Sequence, residues 1–588
     1  MFHSSLILLV LIGWSALGCG PSKELLLAGP LLEFQDRTPI PEPPKHDPNQ
    51  YYDFVDRSLF KQIKGWLDLP RQVRRLVGQP KQAMNVDAFD EVPNSTWFTN
   101  RALTLSVGEA LCGPDTLDGP DQTRTWEVRG AKTQGVTPGF TIRDRRGDTY
   151  LLKFDPPTNS ELATGAEVIS TKLVYAAGYN VPENYLVFFT PDQLRITGNV
   201  MVTDQFGRER AFTEEDLERI LRRVPRMPDG RIRAIASKYL PGKPKGPFAY
   251  IRMRKTDPND VFPQEHRREL RGLRVVAAFI NHDDIRRINS LDMYTQEGYL
   301  RHYLIDFGST LGSAAVGADL PSNGYEYRLD FAEMSKSLLG LGLYQHRWQR
   351  ASPAPVPPSI GIFSNDRFHP HRWKPAYPNL AFQRMTNRDG FWGARLVMSL
   401  SNEKIEGIVK QAQYSDPTAT AYMIETLIAR RDQIGRYWYR RVNPLDRFTV
   451  TPTPDGGQVV RFVDLAVEAG FEAADGTAYR FVLMHNDFGG VDEMLKVGGA
   501  AASSPTMPVI PAQTTGSTTT IVLSPALLAE VATWCDQHSA TTPGDRLFYL
   551  KIFTRRTPEA QWGKWVRAHL LYQRPEQGFK LAGIEREE

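Results

Sequence analysis

Two short strings carry the side chains most able to do chemistry. The first is His282-Asp283-Asp284-Ile285-Arg286-Arg287-Ile288-Asn289, and the second is Leu304-Ile305-Asp306-Phe307-Gly308, which ends an apolar run. A loop carboxylate such as Asp284 can orient or deprotonate a hydroxyl. Hard oxygen donors from two loops, Asn289 and Asp306, can together grip a magnesium ion. Taken singly, each string has a plainer reading, since acidic pairs often end helices and Asp-Phe-Gly often ends a strand. Asp487-Phe488-Gly489 makes the point: it repeats the second string with no such loop ahead of it, and reads as a turn.

The elements that would position these residues are legible around them. Trp126-Glu-Val-Arg129, Phe140-Thr-Ile-Arg143 and Tyr150-Leu-Leu-Lys-Phe154 alternate as strands, and Asp144-Arg-Arg-Gly147-Asp148 supplies a turn between the last two. A helical spacing of apolar residues runs over 161–177 and stops at Gly178, and a fourth strand follows at 185–189. Helical patterns then dominate, most clearly over 265–281 and 415–442.

In this order the pieces resemble the protein-kinase-like superfamily. The first string is similar to the catalytic loop H-R-D-x-x-x-x-N, and the second is its D-F-G element. The resemblance implies that Asp284 serves the acceptor hydroxyl, that Asn289 and Asp306 hold Mg²⁺, and that ATP or another nucleotide is the donor. It places Lys153, in the third strand, on the α- and β-phosphates. It gives Lys153 the ion-pair partner Glu167, with Glu161 as a second candidate. Gly135-Val-Thr-Pro-Gly139, between the first two strands, would let backbone N–H groups approach phosphates, although it is not G-x-G-x-x-G. The likeness is closer to the atypical HipA-like and lipid-kinase-like groups, because Asp283 stands where arginine is usual and no A-P-E follows. The fold class implied is α+β, with an antiparallel sheet lobe plus a helical lobe over 126–445. A charge-rich insertion over 203–229 has no counterpart, and order alone puts an adenine-binding hinge near 237–240.

The chain ends differ in character from this middle. Residues 5–18 are an apolar run too short to span a bilayer but right for a signal-peptide core. The run closes on Ala16-Leu17-Gly18-Cys19, which resembles a bacterial lipoprotein signal and implies cleavage and acylation of Cys19. The expectation is a lipid-anchored protein of the bacterial cell envelope, with the Pro-rich residues 19–50 as an extended tether and 51–125 as an amino-terminal extension. After Asn443-Pro444, short alternating strands over 458–464, 478–484, 518–523 and 546–554 read as a separate β-rich domain, 446–588.

Bulk composition removes several classes. Hydrophobic residues at 41% and charged ones at 23% suit a folded chain of about three domains. Lys and Arg number 71 against 67 Asp and Glu, so a net of +4 leaves no basic field for nucleic acid. Three cysteines offer no zinc spacing, and pairing of Cys112 with Cys535 stays open. A hydrolase lacks its motifs, for neither G-x-S-x-G nor H-E-x-x-H occurs and His369-Pro-His371 is a poor metal site. Two functions remain: an active phosphotransferase, favoured by the full catalytic set, or a tethered ligand-binding scaffold, favoured by export to a place where ATP is scarce.

Overall fold

The computed structural model describes residues 21–588 except 47–55, 117–118, 133–138, 199, 204–208, 315, 352–355, 489–491, 500–508 and 575. Cys19 and Gly135 therefore lie outside the described residues. Among the described residues, four short helices precede the first sheet: α1 (Lys23–Ala28), α2 (Lys61–Leu67), α3 (Leu69–Leu76) and α4 (Val107–Cys112). A π-helical turn, Asp56–Phe60, leads into α2.

Strict alternation builds the first sheet. Its strands are β1 (Trp126–Lys132), β2 (Gly139–Arg143), β3 (Thr149–Phe154), β4 (Asn184–Phe189), β5 (Leu194–Ile196) and β8 (Ile232–Lys238), in the order β4-β8-β3-β2-β1-β5. All neighbours are antiparallel except β1 and β5. Tyr150, Leu152 and Phe154 point into one apolar layer with Phe140, Ile142 and Phe189, so the two-residue period turns Lys153 to the other face. The charge-rich insertion is the lid of that apolar layer. Its ribbon, β6 (Met201–Thr203) with β7 (Glu209–Ala211), and helix α6 (Glu214–Leu221) bury Phe212, Leu217 and Leu221 there.

Helix α5 (Leu162–Ala176) follows β3, as its apolar spacing predicts, and the chain leaves it through Gly178 at φ 110°. A Cβ at Gly178 would lie 2.3 Å from a Phe98 ring carbon, so only glycine fits this exit. Next come the short strand β9 (Lys243–Pro244) and helix α7 (Arg268–Phe279), which is buried on every side. The hairpin of β10 (Ser290–Tyr294) and β11 (Leu300–Leu304) follows, then the two-residue strands β12 (Ser313–Ala314) and β13 (Gly317–Ala318). Helices α8 (Phe331–Leu339), α9 (Leu380–Gln383), α10 (Asn387–Met398), α11 (Asn402–Lys410) and α12 (Pro417–Tyr439) complete the helical part, with α7, α10 and α12 packed together.

The carboxyl-terminal strands form two sheets around their own core. The first is β14 (Leu445–Pro452), β15 (Gln458–Asp464), β19 (Ala512–Thr515) and β20 (Thr518–Leu523), ordered β14-β15-β20-β19. The second is β16 (Ala478–His485), β17 (Met494–Gly499), β18 (Val509–Ile510), β21 (Leu547–Arg555), β22 (Trp565–Tyr572) and β23 (Phe579–Arg586), ordered β18-β17-β16-β21-β22-β23. A four-residue helix α13 (Leu465–Glu468) and the longer α14 (Pro525–Gln537) accompany them, and α14 buries Leu528 and Val531 in the shared core.

The stretch expected to be a free tether is, over 21–46, packed along the folded body. Leu26 is buried with Ala88, Leu547 and Ala582, Asp36 accepts from Thr96 N at 2.9 Å and Thr96 Oγ1 at 2.7 Å, and Glu42 pairs with Lys243 at 2.6 Å and with Lys245. Its prolines keep the backbone extended, while its few apolar and acidic side chains find complementary partners. The two described cysteines are both free: Cys112 is half-buried at the end of α4, and Cys535 is buried in the carboxyl-terminal core, where burial pushes its thiol up to about 11.

Candidate functional site

Three separate elements deliver the charges of the site. Lys153 leaves β3 toward α5, where Glu167 is fully buried, and their Nζ to Oε1 distance is 3.0 Å. The same ammonium reaches Asp306 Oδ1 at 3.1 Å. Burial pulls the lysine pKa down, but Asp306 and Glu167 outweigh it and hold the ammonium above its ordinary value. Asn184 at the start of β4 fixes Glu167, donating from Nδ2 to Oε1 at 3.0 Å and to Thr171 Oγ1 at 2.8 Å. The alternative acid, Glu161, is turned away: it precedes α5 at φ 67° and accepts from Ser415 N at 3.0 Å. Gly139 pairs across the ladder with Lys153, and a Cβ there would lie 2.9 Å from the Leu152 carbonyl, so its place beside the lysine admits no side chain.

The loop after α7 brings the second half. Because Ser290 pairs with Leu304, the β10–β11 hairpin sets residue 289 beside residue 305, and Ile305 N donates to Asn289 O at 3.0 Å. Asn289 and Asp306 thus leave the same end of one hairpin. Asn289 spends its amide N–H groups on Asp284, at 2.8 Å to the backbone carbonyl and 3.1 Å to Oδ2. Arg286 closes on the same carboxylate, with Nε 2.6 Å from Oδ1. His282 is buried against the Phe307 ring, centroids 5.6 Å apart, and burial lowers its pKa, so it enters the loop as a neutral spacer.

No family model, no curated protein and no solved structure matches this chain.

Lys153, Glu167 and Asp306 therefore form one ion-paired cluster, Asn289 and Asp284 bond each other at the hairpin end that also carries Asp306, Gly139 lies across the ladder from Lys153, and Glu161 stands apart. The hinge expected at 237–240 is the end of β8 and the two residues beyond it, where Tyr239 N bonds the Thr149 carbonyl at 2.9 Å. Sequence reasoning missed Asn184 and Arg286, whose roles depend on contacts that no local motif announces. It also missed an acid pair beneath the loop. Asn323 Nδ2 donates to Asp283 Oδ2 at 2.6 Å and to Asp319. Burial, then Asp319 and Asp284, raises the Asp283 carboxyl well above its ordinary value, and burial pushes Asp319 up to about 7.

That pair has a measurable consequence. A carboxyl whose folded pKa is raised binds its proton more tightly when folded, so its stabilisation is present in acid and lost as pH rises through the folded value. Asp319→Asn removes the titration but keeps an acceptor for Asn323 and Leu320. The variant is expected to match the parent near about pH 4 and to exceed it by up to about 4 kcal/mol above about pH 8. Melting temperatures of the two proteins across that range check it, and a constant difference would contradict the burial argument.

One further grouping could hold a cation among the described residues: Glu326, Glu333 and His346. Its ring nitrogens are already spent, Nδ1 on Glu326 at 2.5 Å and Nε2 on Ser337 at 2.9 Å, and Tyr344 donates to Glu333 at 2.5 Å. The grouping is a self-satisfied network. His369 and His371, 6.3 Å apart between ring centroids, belong to no such cluster among the described residues.

Proposed function

We propose that residues 126–445 form a two-lobed, protein-kinase-like domain that transfers a phosphoryl group from ATP or another nucleotide with Mg²⁺. The observation that carries this reading is Lys153, which bridges Glu167 at 3.0 Å and Asp306 at 3.1 Å from two different elements. A lysine on an inner strand, held by a helix acid and released toward a loop acid, is the arrangement that phosphoryl transfer needs for gripping phosphates. The sheet order around β3 and the hairpin between the two loops support it.

Fit to a metal rests on the donor set. Asp306, with its side chain 54% exposed, offers a carboxylate, and Asn289, whose amide N–H groups bond Asp284, offers the hard Oδ1. Bound there, Mg²⁺ would offset charge on the nucleotide phosphates. Lys153 then exchanges its bond to Asp306 for phosphate oxygens while Glu167 keeps it in place. Asp284 receives the proton of the acceptor hydroxyl, and Asn289 holds that carboxylate in orientation. In the same proposal the chain is exported, acylated at Cys19 and held at a bacterial envelope membrane, with no nucleic-acid partner.

One contact favours the second reading, a scaffold that binds nucleotide without turnover: Arg286 already occupies both oxygens of Asp284, at 2.6 and 3.0 Å. The deciding experiment is a thermal-shift titration with ATP and Mg²⁺ on the parent and on Asp306→Ala. A binder of about 100 Kd excess adds about 2.7 kcal/mol to the folded state. Both readings require a shift that Asp306→Ala loses. No shift in the parent removes nucleotide binding, and with it the kinase-like reading.

A further inference from the structure

Away from Lys153, a cavity of about 510 Å³ opens between α3, α7 and α9. Helix α3 sends Arg71, Arg74 and Arg75 to its rim, and the walls add Lys81, Arg274 and Arg384. Among the described residues two carboxylates line it, and each is engaged: Asp68 pairs with Arg384 at 3.2 Å, and Glu588 accepts from Asn387 N at 2.5 Å. Positive charge is therefore in excess. Arg71 Nε and Nη1 and Arg384 Nε are buried atoms with no acceptor among the described residues. The field is felt nearby, for His266 is pushed down to about 2, by burial first and then by Arg271, Lys81 and Arg384. Guanidinium forks of this kind match phosphate oxygens.

The other face of α3 is reversed from what a soluble helix shows. Leu69, Val73 and Leu76, spaced i, i+4, i+7, are 64, 57 and 87% exposed, with Leu67 and Val77 exposed at its ends. A second exposed apolar set lies on α8 and just after it, Met334, Leu338, Leu339, Leu341 and Leu343. The two regions are joined through α2, where Phe331 N donates to Gln62 Oε1 at 3.4 Å and Gln62 Nε2 donates to the Leu329 carbonyl. A soluble phosphorylated ligand would use the basic cavity alone and leave these leucines in water. A bilayer uses both, acyl chains on the apolar stripe and phosphate headgroups at the arginines.

We propose that α3 and α8 lie on an anionic lipid surface and that the basic cavity behind α3 receives the phosphate headgroups. Hydrogen–deuterium exchange of the full chain tests this on phosphatidylcholine vesicles with and without phosphatidylglycerol. Any anchoring by the amino-terminal segment is common to both vesicles, so a dependence on composition belongs to the α3 face. Exchange over 68–78 and 331–343 is expected to slow on the anionic vesicles only. Arg74→Glu/Arg75→Glu and Leu69→Ser/Leu76→Ser should each weaken that protection about tenfold or more. All four side chains are exposed, so folding is checked by unchanged exchange over 162–176. Equal exchange on both vesicles would overturn the proposal. So would the same protection given by inorganic pyrophosphate without lipid, which would assign the cavity to a soluble phosphoryl anion.

Discussion

Asp284→Asn is expected to slow nucleotide turnover about a hundred- to ten-thousand-fold while leaving the thermal shift by ATP and Mg²⁺ unchanged. The substitution keeps shape and an acceptor oxygen for the Asn289 Nδ2 bond of 3.1 Å, and removes the carboxylate charge that would accept the proton and that pairs with Arg286. Lys153, Asp306 and Asn289, which the proposal assigns to phosphates and metal, are untouched, so ground-state binding should survive. Single-turnover phosphate release, with water or an added hydroxyl compound as acceptor, measures the first effect. Equal release by the parent and by Asp284→Asn would remove Asp284 from the chemistry and favour the scaffold reading. The control is Arg286→Ala: if the 2.6 Å Arg286 contact restrains the carboxylate, its loss raises the rate, and it does so only where Asp284 is present.

Why the places of Lys153, Asn289 and Asp306 were legible in one sequence is a matter of local geometry. Lys153 declares its face by alternating with Tyr150, Leu152 and Phe154, which enter the apolar layer. Asn289 and Asp306 are separated by one hairpin whose strands are equal in length, so the two loops had to end together. Bounds of the carboxyl-terminal strands were legible for the same reason: 458–464 and 518–523 are regular alternations closed by turn residues. The helix partner of Lys153 was not settled by pattern, because Glu161 and Glu167 differ by less than two turns; the left-handed backbone at Glu161 decides it.

What stayed hidden depends on residues far apart in the chain. The basic cavity joins positions 71, 274, 384 and 588, and no window of sequence contains more than one wall of it. The docking of residues 21–46 was equally silent, since a proline-rich stretch reads as a linker unless the acceptors for its few side chains are known. The polar-aromatic residues after Asp90 carry no catalytic motif, and their structure explains their types: Trp97 stacks on His302 at 3.5 Å between ring centroids, and Arg267 lies over the same indole. These residues tie the amino-terminal extension to the hairpin that carries the site.

Asp90 goes further and ties three regions at one carboxylate, which makes it the largest stability effect expected outside the cores. Arg268 of α7 and Arg388 of α10 each reach Oδ1 at 2.6 Å, and Arg586 of β23 approaches Oδ2 at 3.7 Å. Burial alone would raise this carboxyl, but Arg268 and Arg388 hold it well below the carboxylate range. Asp90→Asn is therefore expected to cost about 3–5 kcal/mol at neutral pH, because buried guanidiniums lose their counter-charge. Asparagine tolerates the φ of 62° at this position, so the loss reports charge and not backbone strain. The sign of the pH dependence follows from the lowered pKa: the stabilisation is present above the ordinary aspartate value and fades as pH falls toward the folded one. Urea unfolding of both proteins at about pH 7 and about pH 3 measures it, with the difference shrinking in acid. Because β23 meets α7 and α10 through this carboxylate, the variant should also unfold with the carboxyl-terminal sheets released first, seen as separate transitions where the parent shows one. A single transition with an unchanged midpoint would mean that Asp389, which pairs with Arg268 and Arg271 at 3.1 Å, holds α7 to α10, and that Glu588, which accepts from Asn387 N at 2.5 Å, holds the carboxyl-terminal end to α10, without Asp90.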